Sequence, residues 1–206
     1  MNIGTKSVLF GAHCFFFHPW FVAAAWWKLY GFPWDPRLWV AFFVHDLGYL
    51  GKPNMDGPEG ESHVELGARI MGWLFDRPRV LSRDECPSDG EFIYRMWNRK
   101  WHDFSLYHSR FYAKKDGRKP SQLCMADKLS IAMTPAWLYL PMVKATGEIR
   151  EYMALAKSRN STSDERTWYR DVQDYVRRWV QEHKDGREDT WTPSHKKPRS
   201  DSGVWQ

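Results

Sequence analysis

The sequence predicts an all-α fold, a helical bundle in a single domain with a flexible C-terminal tail. Three observations carry this. Apolar residues recur at three- and four-residue spacing through most of the chain. Serine, proline and glycine stand where those segments begin and end. A length of 206 residues suits one sizeable core and is too short for two domains of ordinary size. The helical domain is expected over 1–183, and 184–206, rich in Gly, Pro, Ser, Lys and Arg, reads as a disordered basic tail.

The first helix runs from His18, with Pro19 suited to its first turn, to Gly31 as its stop. Ala23, Ala24 and Ala25 permit close packing, and Phe21, Trp26 and Trp27 leave few faces for solvent, so it is expected in the interior. The prolines of Phe32-Pro33-Trp34-Asp35-Pro36 break that helix, and a second runs from about Arg37 into His45 and Asp46. Residues 48–61, with four glycines and two prolines, read as a loop. Ser62-His63-Val64-Glu65 has the form of a capping box ahead of Leu66, Ile70, Trp73 and Leu74, which places His63 in a first helical turn. Residues 76–90 are polar and read as a surface connection.

Ile93, Trp97, Trp101 and Phe104 then form a stripe on a helix expected from about Glu91 to Tyr107. His108 continues that face, while His102 and Asp103 fall off it. After a loop through Lys114–Pro120, Ser121 caps a helix whose middle carries Asp127 among Leu123, Ala126 and Ile131. A carboxylate there is costly unless it is paired or bound to metal. Helical stretches follow near Ala136–Thr146, made irregular by Pro141, then Ile149–Ala156 and Ser163–His183.

Aromatic residues make up 17% of the chain and include 13 Trp, so there are many large rings to bury. The apolar stretch from Ser7 to Phe32 is interrupted by His13, His18, Pro19 and Lys28, which favours a buried helix over a membrane span. Cys14, Cys86 and Cys124 form no metal-binding or disulfide spacing, consistent with a reducing, cytoplasmic setting. A net charge of +5 favours anionic partners, but part of the excess lies in the tail, so nucleic acid is not the favoured partner.

The residues able to hold a metal are His18, His45 with Asp46, His63, His108 and Asp127. Their order, and the local sequences His45-Asp46-Leu47-Gly48, Ser62-His63-Val64-Glu65-Leu66-Gly67-Ala68, Tyr107-His108 and Ala126-Asp127, resemble the two-metal members of the HD-domain metallohydrolase superfamily. The resemblance spans roughly residues 13–135. It implies that His18, His45 and Asp127 hold one divalent transition metal, that His63 and His108 hold a second, and that Asp46 bridges them. Imidazoles and carboxylates without thiolates suit iron or manganese. His13 is the alternative first ligand; His18 is preferred because it begins the apolar helix, 27 residues before His45. His102 is the alternative to His108.

The chemistry so implied is hydrolysis of a nucleotide or other small phosphoester, with Asp46 at the reacting centre. Lys52, Arg110, Lys114 and Lys128 lie close in sequence to ligands and are candidates to hold phosphate. The same ligand set also resembles that of diiron oxygenases acting on small, phosphonate-bearing or polyol substrates. A binding module using the basic tail would need no such ligands. Oligomeric state is not legible in the sequence.

Overall fold

The computed structural model describes residues 1–55, 58–76, 78–80, 95–97, 99–157 and 164–191. Its helices are α1 (Ile3–Phe10), α2 (His18–Tyr30), α3 (Pro36–Val44), α4 (Pro58–Glu61), α5 (Val64–Phe75), α6 (Lys100–Leu106), α7 (Arg110–Lys115), α8 (Gln122–Met133), α9 (Ala136–Thr146), α10 (Glu148–Lys157) and α11 (Glu165–His183). A 3₁₀ turn, Leu47–Tyr49, follows α3.

The bundle is built around α8. Its sequence is small or apolar on nearly every face, so it has no solvent side and lies between α2 and α11, with α6 alongside. Val22, Phe42, Met71, Leu123 and Trp179, from α2, α3, α5, α8 and α11, fill the core around it, all of them fully buried. Complete burial of such side chains stabilises by about 1.5–3 kcal/mol each. A smaller cluster of Tyr139, Leu140, Val143, Ile149, Trp168 and Tyr169 ties α9 and α10 to α11.

Several boundaries agree with local sequence signals. Pro19 stands in the first turn of α2 and Gly31 ends it at φ +88°. The Ser121 hydroxyl accepts from the Cys124 amide at 3.3 Å. Asp35 caps α3 and Asp164 caps α11.

Other expectations need correction. The helix expected from Glu91 begins only at Lys100, and Arg95–Trp97 is instead a short strand, β2, paired antiparallel with β1 at Pro78–Val80. The cause is non-local. Asp76, beyond the end of α5, accepts from the free amides of Trp101 and His102 through its two carboxylate oxygens, each at 2.9 Å, and so fixes where α6 starts. Ile93 lies outside the described residues. The Ser62–Glu65 capping box does not form: Ser62 donates to the Glu59 carbonyl, Glu65 accepts from the Tyr112 hydroxyl, and His63 precedes α5 without a side-chain cap. Helix α2 is not interior on all sides, because Trp20 and Trp27 are 56% and 61% exposed. Residues 184–191, assigned to the tail, are folded against α11. There Asp189 is buried and accepts from the indole N–H of Trp179 at 3.1 Å, and the Lys114 amine donates to its carbonyl. Residues 192–206 lie outside the described set.

Replacing Asp76 by Ala should cost about 1–2 kcal/mol, the usual effect of losing a helix N-terminal cap. Urea denaturation would measure it, with metal content unchanged because Asp76 is not among the candidate ligands.

Candidate metal centre

Six buried side chains from five places in the chain meet in the core. His18 is the first residue of α2, and His45 and Asp46 follow α3 directly. His63 immediately precedes α5, His108 lies in the turn between α6 and α7, and Asp127 is in the middle of α8. None is more than 7% exposed. His18 Nε2 lies 3.2 Å from Asp46 Oδ2 and 3.1 Å from Asp127 Oδ1. His45 Nε2 lies 3.1 Å from Asp46 Oδ2 and 3.8 Å from Asp127 Oδ1. The other oxygen of Asp46 faces the remaining rings, at 3.6 Å from His63 Nε2 and 3.5 Å from His108 Nε2. The donors therefore form two groups sharing one carboxylate: His18, His45, Asp46 and Asp127, and Asp46, His63 and His108.

The arrangement fits cations. His45, His63 and His108 each turn Nδ1 to the carbonyl three residues earlier, of Phe42 at 3.0 Å, Gly60 at 2.7 Å and Ser105 at 2.5 Å. A donating Nδ1–H leaves the Nε2 lone pair free for the centre in the neutral ring. His18 Nε2, His45 Nε2 and Asp46 Oδ2 are close together yet none is aligned in a hydrogen bond, which is how donor atoms lie when they converge on a common point. Nitrogen and carboxylate oxygen without sulfur make the set suitable for iron or manganese.

Two glycines bring these pieces together. A Cβ on Gly48 would collide with the carbonyl of His63, and one on Gly67 would stand 2.8 Å from the Val44 carbonyl and 2.9 Å from the His45 Cα. The Tyr49 ring then stacks on His63, with centroids 3.9 Å apart and planes 8° from parallel.

Not every candidate belongs to the cluster. His13 hydrogen-bonds Ser7 and lies beside the His18 ring, outside both donor groups. His102 is bound to Asp103 and Arg99 at the surface. Lys128 donates to Asp127 Oδ2 at 2.8 Å, on the side away from the histidines, and orients that carboxylate. Lys52 donates to Ser62, next to His63, at 2.5 Å. Arg110 is directed to α11 instead, donating to the Tyr175 hydroxyl at 3.0 Å and lying over the Trp179 ring; its place after His108 in sequence did not reveal this. Lys114 likewise reaches the Asp189 carbonyl.

Protonation divides the two groups. Burial would lower the pKa of His45, but the charge of Asp46 and the contacts with Asp127 outweigh it and hold the ring up to about 10; His18 is raised by the same carboxylates. His63 is driven well below the ordinary histidine range by burial and by His108 beside it. Burial would raise Asp46 and Asp127, yet their positive neighbours keep both ionised, well below the usual carboxylate range.

Comparison with protein-family models, characterised proteins and solved structures found no significant match to this chain. Its structure is that of a helical protein with a buried His/Asp cluster able to hold metal, compatible with an HD-like site. Among the described residues no helix is long and apolar enough to cross a membrane.

Two outcomes are expected. His102→Ala should leave metal content unchanged while His108→Ala lowers it, as elemental analysis of the purified variants would read. Because a metal must displace the proton held by His45, affinity at the His18/His45 group should rise with pH up to about 10 and its filling should release protons. Filling beside His63, already neutral, should depend less on pH. Metal titrations at several pH values in weakly buffered solution check the difference.

Proposed function

We propose that this chain is an HD-superfamily phosphohydrolase that uses two divalent metal ions, iron or manganese, to hydrolyse a nucleotide or another small phosphoester. The observation that carries the reading is Asp46, whose two oxygens face two different pairs of imidazoles. When bound, such a pair of ions supplies an activated water at neutral pH and neutralises charge on phosphoryl oxygens. The residues of the chain supply the rest. His18, His45 and Asp127 would hold one ion and His63 and His108 the other, with Asp46 available to both.

Lys128 keeps Asp127 in place through one of three ammonium donors, and Lys52 uses one on Ser62. Each retains donors for an anionic oxygen of substrate. Arg110 is directed to α11, with one donor on the Tyr175 hydroxyl and its guanidinium over the Trp179 ring.

A second reading, a diiron oxygenase, is favoured by the cavity beside His18, His45 and Asp46. Its volume is about 10 Å3 and its other walls include Val8, Phe15, Pro19, Phe43 and Leu47. An apolar space of that size suits a small uncharged ligand such as dioxygen.

Asp46→Asn tests the central claim, since it preserves shape but removes the charge that holds two cations together. Protein loaded with iron or manganese is expected to hydrolyse a generic phosphodiester or a member of a nucleotide panel without consuming oxygen. Asp46→Asn should abolish turnover and weaken both metals together. Full metal occupancy and unchanged turnover in that variant would rule out the bridging role, while oxygen-dependent turnover would select the second reading.

A further inference from the structure

The apolar stretch that forms α2 is only partly taken into the core. Phe16, Trp20, Trp27, Phe32 and Trp34 are each between 41% and 83% exposed, and they form one surface. Trp20 touches Trp39 and Phe43, Trp39 touches Phe32, and Phe32 touches both Trp27 and Trp34. Phe16 joins through Phe15, which meets Phe43. Neighbouring ring centroids along this chain are 4.5–6.4 Å apart. Local geometry accounts for the arrangement. Trp20 and Trp27 stand two turns apart on one face of α2, and the Trp39 indole N–H donates to the Pro33 carbonyl at 2.9 Å, which draws the Phe32–Trp34 connection to the same side.

At about 150–250 Å2 for an aromatic side chain, these exposures leave on the order of 500 Å2 of contiguous ring surface in water, at the upper end for a single molecule. A stable pairing of two copies takes about 800 Å2 from each. The area is small for a dimer. Its charge is one-sided as well: all 25 acidic residues of the chain lie at or after Asp35, and Asp35 accepts from Nε and Nη2 of Arg37 at 2.9 and 2.7 Å. Cations stand at the edge. Lys28 is exposed next to Trp27, and beyond Trp34 both Arg37 and the exposed Lys100 lie over the Trp101 ring, 4.7 and 6.0 Å from its centroid. Exposed indole and phenyl rings with a basic rim suit the interfacial zone of a bilayer, where rings lie between headgroups and acyl chains and cations meet anionic headgroups.

We propose that this aromatic face of α2 and the α2–α3 connection docks the protein on the surface of a bilayer containing anionic lipid, with the rings entering the headgroup region and Lys28 and Lys100 meeting the headgroups. The protein lies on the membrane; among the described residues no helix could cross one. Phe15 and Phe43 belong to the same chain of rings and also wall the cavity beside His18, His45 and Asp46, so docking sets the candidate metal centre close to the lipid. The docking itself does not depend on the chemistry of that centre.

The test is flotation of the full chain with vesicles of phosphatidylcholine alone and of phosphatidylcholine with an equal part of phosphatidylserine. The protein should float with the second and much less with the first, and raised salt should weaken binding. Trp27→Gln combined with Trp34→Gln should weaken it about ten-fold or more, whereas Trp73→Gln, as exposed as Trp34 but on α5, should leave it unchanged. Lys28→Glu should weaken binding to the anionic vesicles. Without any variant, the indole fluorescence of the bound parent should be quenched by lipids brominated in the upper acyl chain. Absence of binding, equal binding to both vesicles, bound protein without quenching, or binding that the double variant retains, which would assign it to the basic tail, each overturns the proposal. So does a dimer, seen by sedimentation, that the double variant dissociates while vesicles go unbound, which would assign the face to a second copy.

Discussion

Two carboxylates, Asp46 and Asp127, sit ionised inside a helical core, and the rest of the structure answers to that fact. A buried anion without partners costs several kcal/mol, so each must be surrounded by groups that compensate its charge. Asp46 is met by imidazoles from the start of α2, its own neighbour His45, the approach to α5 and the turn after α6. Asp127 is met by two of the same rings and by Lys128. One small polar centre thereby ties together five segments of the chain. It also explains why α8 can carry a charged residue while being buried on nearly every side.

Convergence of this kind needs backbone to approach backbone. Gly48 and Gly67 supply the space on either side of the contact between His63 and the His45-Asp46 segment, and no other residue fits there without displacing one of the candidate ligands. The carbonyls of Phe42, Gly60 and Ser105 then fix three rings in one tautomer. Since each carbonyl lies three residues before its histidine, the ring orientation is set by the local turn and is independent of what fills the centre. The site is organised by the polypeptide before any cation arrives.

The extent to which this was legible follows from whether a signal is local. The candidate ligands could be read because their types and order form a pattern, and α2, α3, α8 and α11 because their caps and breakers lie within a few residues of their ends. The start of α6 could not, since Asp76 caps it from 25 residues away and Trp97 mimics the helical spacing of Trp101 by coincidence. The Ser62–Glu65 pattern failed for a related reason: Lys52 and Tyr112, distant in sequence, engage the two side chains that a local cap would need. Helices α1 and α7 are short, at eight and six residues, and gave no periodic signal above their surroundings. Glu148 carried no mark at all, because the Ala12 amide from which it accepts lies 136 residues earlier in the chain.

The small cavity admits one water-sized molecule, so it measures the first ligand the centre meets and not the substrate. Both functional readings call for such a ligand, water for hydrolysis and dioxygen for oxygenation, and the apolar walls Phe15, Phe43 and Leu47 suit the second. The cations beside the ligands pull the other way: Lys128 on Asp127 and Lys52 next to His63 each keep ammonium donors that an anionic oxygen can use and that dioxygen cannot.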